Sequence, residues 1–442
     1  ADEDIKAGDV VVTVPQDLLI TVSSITKSCP TPGLVDDELW ATSPWYVRLA
    51  FLLLEKVKLR PVPWGAQLDA LPFTFDTPIH WPAETLEALQ YPFLVNKITE
   101  QKANLEDLCQ RFKQGKTGIS KSMSSQDLIW AIECVRSRSF MGPYPGDPRG
   151  RTLRSLLLLV LSSVSAANGA DPGSILGGFL AATAFGFASD VILSNSRRQY
   201  VLPAFADMAN HNSKASSTKA DINFWTGDVT ILSGDKVDSG KQVFVSYGPK
   251  SNDALLQYYG FIEDDNPHDV YVMTGLSEKL LATSDAVTDR ELQSRKDKLR
   301  NLGWSAEMMS SILITADGTL APVSHALMTG IFGDETKLEP FDAKKLSVPA
   351  DDDDPSNANV AAATAGGGGI PQVLPANAKK ALAAMCQAEL DARTSIEDDQ
   401  ARLAELADGD DADESVQRER LALQFRINKK SLLKRCVTKA ST

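Results

Sequence analysis

Apolar and polar positions change period several times along the chain. Val10-Val11-Val12-Thr13-Val14 is an unbroken β-branched run that follows a turn and is closed by Pro15, so it predicts a buried strand. Ser43-Pro44 puts proline at a first helical position, and residues 45–58, with Phe51-Leu52-Leu53-Leu54 at the centre, predict an apolar helix. Prolines 72, 78 and 82 impose turns, after which residues 82–90 predict a helix. Ser124 and Asp127 cap a helix that reaches Arg138 and carries Leu128, Ile132 and Val135 on one face. From Tyr200 the period becomes two, and short strands are expected at 200–202, 221–225, 229–232 and 242–247.

Beyond about residue 275 the pattern is helical. Residues 348–377 hold Asp351-Asp352-Asp353-Asp354-Pro355 and Gly366-Gly367-Gly368-Gly369, too little apolar surface to order a segment, and are expected to be a flexible loop. A helix over 378–391 places Leu382, Met385, Cys386 and Leu390 on one side, and Thr394 with Glu397 predicts a capping box for the next. An acidic loop at 408–411 leads to a last helix over 414–436.

Two stretches are more apolar than the rest. Residues 153–167 include six consecutive aliphatic side chains, Leu156 to Leu161, but are short for a bilayer span of ~20 residues and contain Arg154. Residues 174–193 have the length but include Asp190 and several glycines. A buried helical pair is expected in preference to a membrane hairpin, and no membrane span is expected.

Composition narrows the function. With 442 residues, 43% hydrophobic and 23% charged, the chain has ordinary globular composition and length for two cores. Its net charge of −13 disfavours direct nucleic-acid binding, which needs a basic face, and suits a basic partner surface. The 5 cysteines are scattered without a CxxC pair, so no disulfide framework and no metal site is expected.

The candidate chemistry lies in Asp207-Met208-Ala209-Asn210-His211-Asn212 and in Tyr247-Gly248-Pro249-Lys250-Ser251-Asn252, followed by Tyr258-Tyr259-Gly260-Phe261. Taken alone, Asn-His reads as a turn whose side chains cap backbone, Tyr247 as a residue ending a strand, and Arg138 as a cation offsetting a helix dipole. Together with Arg136-Ser137-Arg138-Ser139-Phe140 and the Leu71-Pro72, Thr77-Pro78 and Trp81 landmarks, the chain resembles the Rubisco large-subunit methyltransferase-like SET proteins. These are protein-lysine and, in one branch, histidine N-methyltransferases.

The resemblance implies an α+β fold: a SET-domain β fold over 1–270 with a large inserted helical subdomain at about 40–197, then an all-α substrate-binding domain over 271–442. The family's glycine-rich cofactor loop is expected to precede Ala1. S-adenosyl-L-methionine is the implied cofactor, with Ser137, Arg138, Asp207, Asn210 and His211 as binding residues and Tyr259 and Phe261 lining the adenine pocket and substrate channel. Tyr247 is the implied catalytic residue, orienting an amine for in-line methyl transfer, a reaction that needs positioning rather than a covalent nucleophile. A plastid protein such as the Rubisco large subunit or an aldolase is the implied substrate, methylated on lysine in the stroma by a monomer. The sequence departs from the family where Asp253-Ala254 replaces Ala-Glu and Tyr258 replaces Asp. Those departures motivate the alternative of a SET-fold scaffold with weak or no catalysis, for example in plastid transcription.

Overall fold

The run at Val10–Val14 forms β1 as expected. In the computed structural model all residues are described except 24–27, 117, 144–147, 197, 204, 206–207, 215–218, 224–225, 286, 334–372, 408–412 and 442. Asp207, most of the expected flexible loop and the acidic loop at 408–411 lie outside the described residues. The chain divides into two compact units, one of residues 1–75 and 105–246, the other of 76–104 and 247–442.

Among the described residues the first unit holds three small sheets. β1 pairs antiparallel with β7 (Val229–Leu232), which pairs with β6 (Lys219–Ile222). β4 (Arg198–Pro203) lies between β2 (Leu19–Ser23) and β3 (Phe140–Pro143), with Ile20 opposite Leu202 and Met141 opposite Tyr200. β5 (Asn210–His211) runs parallel to β8 (Phe244–Val245). The strand expected at 242–247 is thus only two residues long, and Tyr247 falls in the loop after it. The tyrosine leaves the ladder where Gly248 takes a left-handed φ of +91°.

The apolar helix forms over Trp45–Leu59 and buries Leu49, Ala50, Phe51, Leu53 and Leu54 almost completely. It packs on β2 and on the Ser125–Arg138 helix, whose Leu128, Ala131, Ile132 and Val135 are also buried. Full burial of each such Leu, Ile or Phe contributes about 1.5–3 kcal/mol. The Ser125–Arg138 helix starts at a full capping box: Asp127 N–H donates to Ser124 Oγ (3.1 Å), and Ser124 N–H donates to Asp127 Oδ2 (2.7 Å). Ser124→Ala leaves a first-turn N–H without its acceptor, and a loss of about 1 kcal/mol is expected by urea denaturation; an unchanged midpoint contradicts it.

The two apolar stretches do form paired helices, Pro148–Ala167 and Pro172–Ser196, but they are not buried. Leu153, Leu156, Leu157, Leu159, Val160 and Leu161 are each more than half exposed. The expectation of a buried pair is therefore corrected. The helices touch along one narrow strip, marked by the less exposed Leu158 and Ser162 on the first and Ile175, Phe179, Ala182 and Gly186 on the second. Among the described residues no helix is long and apolar enough to cross a membrane.

The second unit is not wholly helical as expected from residue 271. It contains an antiparallel pair, β9 (Val270–Thr274) and β10 (Ser311–Thr315), with Ile312 opposite Met273 and Ile314 opposite Tyr271. Both segments are short β-branched and aromatic runs, which fit a pleated surface better than a helix. The helices Pro322–Phe332, Ala376–Asp391, Ile396–Ala407 and Glu414–Ser441 follow. Their buried Leu327, Met385, Phe425, Leu432 and Leu433 share one core with Tyr91, Leu94, Tyr271 and Ile312. The expected helix at 82–90 is restricted to Ala83–Glu87, and the last helix runs past 436 to Ser441.

The capping box at the Ile396–Ala407 helix is shifted by one residue. Asp398 N–H donates to Ser395 Oγ (2.9 Å) and Ser395 N–H to Asp398 Oδ2 (3.4 Å). Thr394 instead donates to Asp399 Oδ1 (2.8 Å), where Arg426 and Lys430 also converge. A buried carboxylate with two cationic partners outcompetes a capping role for the threonine.

Candidate active site

In the first unit, the Ser125–Arg138 helix ends at Ser139 and delivers the chain into β3. Ser137 and Arg138 occupy its last turn, both half-buried. Ser137 Oγ donates back to Glu133 O (2.7 Å), so its hydroxyl hydrogen is engaged within the helix, leaving oxygen lone pairs to accept. Asn210 and His211 form β5, held in register by β8 through the pairs Asn210 with Phe244 and His211 with Val245. Asn212 N–H extends the contact to Val245 O (3.2 Å), and its side chain closes a turn by accepting from Lys214 N–H (2.8 Å). The bland capping role thus belongs to Asn212. Asn210 is exposed, and among the described residues its amide makes no hydrogen bond, which leaves one donor and one acceptor group for a ligand.

In the second unit, half-buried Tyr247 stacks on Tyr259, with ring centroids 5.0 Å apart at 26°. Phe261 meets Tyr259 edge-on at 6.1 Å, and Lys250 Nζ lies 5.8 Å from the Tyr259 ring centre. The structure therefore brings Tyr247, Tyr259 and Phe261 together as one aromatic group. Tyr259 closes the Asn252–Tyr259 helix, and Gly260, at φ +75°, ends it and redirects the chain to Phe261. A Cβ at Gly260 would meet the Asp76 carbonyl at an ordinary contact distance of 3.4 Å, so it is the left-handed φ that resists a side chain here.

The loop between Tyr247 and that helix is anchored by Asn252, which is 1% exposed. Its Nδ2 donates to Glu263 O (3.0 Å), its Oδ1 accepts from Glu263 N–H (3.0 Å) and Asn266 Nδ2 (3.2 Å), and its own N–H donates to Asp269 Oδ1 (2.9 Å). Asn266 Nδ2 also donates to Lys250 O (2.9 Å). One buried amide thus ties together residues 250–269 and fixes where Tyr247 can stand.

Beneath the anchor lies a buried charge cluster that sequence reasoning missed. Lys429 Nζ donates to Asp269 Oδ1 (2.7 Å) and Val270 O (2.6 Å), and lies 2.9 Å from Asp253 Oδ1. All three residues are at most 5% exposed. Burial pushes the Asp253 carboxyl up to about 6; Lys429 opposes the rise and Asp269 adds to it. Burial also works against charge on Lys429, but Asp253 and Asp269 outweigh it and hold the lysine above its usual range. Asp253, a departure from the family pattern, is therefore built into the core with its own countercharge. Only the acidic residue at an otherwise apolar helix start hinted at this, because its partner stands far away in sequence.

No group of residues suited to holding a metal ion occurs among the described residues.

No family model matches the chain. It is 26% identical over 300 residues to mouse SET domain-containing protein 4, covering 66% of this chain and 58% of that protein. Against the chloroplastic tobacco ribulose-1,5 bisphosphate carboxylase/oxygenase large subunit N-methyltransferase, identity is 22% over 289 residues, covering 62% of this chain and 47% of the relative. Mouse actin-histidine N-methyltransferase is 23% identical over 288 residues, 63% and 40% of the respective chains. The matches thus span about half the length of these relatives. The structure of the SET domain of LSMT bound to lysine and AdoHcy superposes with a TM-score of 0.59 at 19% identity, covering 100% of this chain and 83% of that one. Rubisco LSMT bound to sinefungin and monomethyllysine gives 0.58 at 19% identity, covering 100% and 84%. In sequence the chain is thus similar to SET-domain proteins and to a Rubisco large-subunit N-methyltransferase, and it shares the α+β fold of the solved Rubisco LSMT structures.

Proposed function

We propose that the protein is an S-adenosylmethionine-dependent protein-lysine N-methyltransferase whose substrate is a plastid protein, such as the Rubisco large subunit or an aldolase, in the chloroplast stroma. The observation that carries this reading is Tyr247 stacked on Tyr259 in a loop pinned by the buried Asn252. A tyrosine needed only to end a strand would not require that support. The domain reading kept with the proposal is a SET domain over 1–270, with an insertion at about 40–197, and a substrate-binding domain over 271–442.

The residues present fit the cofactor: Asn210 offers an uncommitted amide beside His211 in a strand whose backbone is fixed. Asn210 would hold the cofactor's amino-acid end, His211 would meet the adenine mainly through backbone, and Arg138 would serve the carboxylate, joined by Ser137 once its hydroxyl turns away from Glu133 O. Asp207 would brace the Asn-His segment. When bound, S-adenosylmethionine supplies an electrophilic methyl group on a sulfonium. The hydroxyl of Tyr247 would accept a hydrogen bond from the substrate amine, which enters the site deprotonated, and direct its lone pair, while Tyr259 and Phe261 exclude water. The scaffold alternative drew on the change at Asp253, and the pairing of that residue with Lys429 gives the change a structural reason.

Calorimetric titration of the full-length protein with S-adenosylmethionine is expected to show one site, weakened about tenfold or more in Asn210→Ala, as loss of hydrogen bonds to a charged group implies. Absence of heat from the wild type would remove the proposal.

A further inference from the structure

The hairpin of helices Pro148–Ala167 and Pro172–Ser196 leaves an apolar surface in solvent that the proposed methyl transfer does not use. The exposed Leu153, Leu156, Leu157, Leu159, Val160, Leu161 and Val164 sweep an arc of about 200° at 100° per residue. On the second helix Leu176 and Phe185 are exposed on opposite sides. What the hairpin lacks is a single apolar stripe, the pattern that a flat partner or a second copy would cover. Apolar exposure nearly all round suits a surrounding medium rather than one face of a protein.

Charge supports the same occupant. Residues 155–170 and 172–189 contain no Asp, Glu, Lys or Arg, in a chain that is 23% charged. Although the chain carries a net −13, Arg149, Arg151 and Arg154 precede the apolar run and Arg197 and Arg198 follow it. Since the helices form a hairpin, the backbone of Arg149, Arg151, Arg154 and Arg198 lies toward its base, and Asp171 marks its turn. Polar ends at base and turn, with apolar flanks between, suit helices lying in the plane of a lipid surface. In-plane seating also agrees with no helix among the described residues being long and apolar enough to cross a membrane.

We infer that this hairpin seats the protein on a membrane surface containing anionic lipids, its flanks in the acyl boundary and its basal arginines at the phosphates. Such seating would hold the protein beside membrane-associated substrates without a spanning segment.

The full chain is floated with vesicles of phosphatidylcholine alone or with phosphatidylglycerol added. It is expected to float with the anionic vesicles, partitioning at least about tenfold more than with phosphatidylcholine alone. The double variant Leu157→Glu, Leu161→Glu is expected to lose about tenfold or more of that partitioning. Both side chains are exposed, so its circular dichroism melt should match the wild type; Leu157→Ser, Leu161→Ser, which adds no charge, should show the same direction. Three outcomes overturn the inference: no flotation of the wild type, flotation unaffected by either variant, or equal flotation with both compositions. A lipid-free dimer detected by light scattering and abolished by the double variant would assign the surface to a second copy instead. These readouts do not involve methyl transfer, so the two readings fail separately.

Discussion

Replacing Lys429 by methionine is expected to destabilise the second unit by about 3–5 kcal/mol. The lysine is 3% exposed and neutralises Asp253 and Asp269, which are 5% and 4% exposed. Methionine fills similar volume beside Tyr91 and Phe425, whose rings lie 5.5 and 5.1 Å from Lys429 Nζ, so lost packing is a minor part of the effect. The main cost is two buried carboxylates without a cation. Asp269 keeps hydrogen bonds from Asn252 N–H (2.9 Å) and Val270 N–H (3.0 Å), whereas Asp253 has no comparable support. Adding Asp253→Asn to Lys429→Met should therefore recover a large part of the loss. Urea denaturation at pH 7.5 checks both, and a Lys429→Met midpoint equal to the wild type would refute the cluster's role.

The cluster also sets a sign for pH dependence. With its folded value raised to about 6, Asp253 retains a proton that the unfolded chain releases near pH 4. The native state thus binds more protons between about pH 4 and 6, and this contribution falls by roughly 1–3 kcal/mol as pH rises through that window. Asp253→Asn should remove that decline. Glu389 and Asp399 have the opposite sign: burial alone would raise them, but Lys279, Tyr271 and Arg393 around Glu389, and Lys430 and Arg426 around Asp399, hold them low. Their contribution is present above the ordinary carboxylate range and is lost as pH falls below it.

Tyr247→Phe is expected to lower the rate of methyl transfer about 10²- to 10⁴-fold, in the range for loss of one positioned hydroxyl at a reacting centre. The phenyl ring preserves the 5.0 Å stacking on Tyr259, so the loop should keep its place. S-adenosylmethionine affinity should stay within about twofold of the wild type, since the cofactor contacts are assigned to Asn210 and His211. Transfer of labelled methyl groups to a stromal extract measures the rate, and calorimetry measures the affinity. Equal rates in the two proteins would count against Tyr247 as the catalytic residue.

Local features were readable in the sequence where their causes were local. The strand at Val10–Val14, the start of the Trp45–Leu59 helix and the Ser124 capping box each depend on residues within a few positions. The Asn210-His211 and Tyr247 segments stood out through the family resemblance, which implies their roles. Errors arose where a distant partner decided the outcome. Thr394 matched a capping pattern, yet Asp399 with its two cations claims its hydroxyl and the box moves to Ser395. Residues 242–247 alternate like a strand, but only Phe244–Val245 find a partner, in β5. Residues 153–167 and 174–193 suggest a buried pair from apolarity alone, which records the tendency to leave water and not whether any surface is within reach.

The sequence by itself determined the order of most elements, since propensity and capping are short-range properties, and its resemblance to a known family supplied the candidate catalytic and cofactor residues. Only the tertiary structure decided that Asp253 and Asp269 share the ammonium of Lys429, and that Asn252 pins the loop behind Tyr247. It alone showed that the apolar hairpin faces solvent. Burial and countercharge depend on which distant segments meet, and a buried charge is tolerated only where the fold supplies its partner.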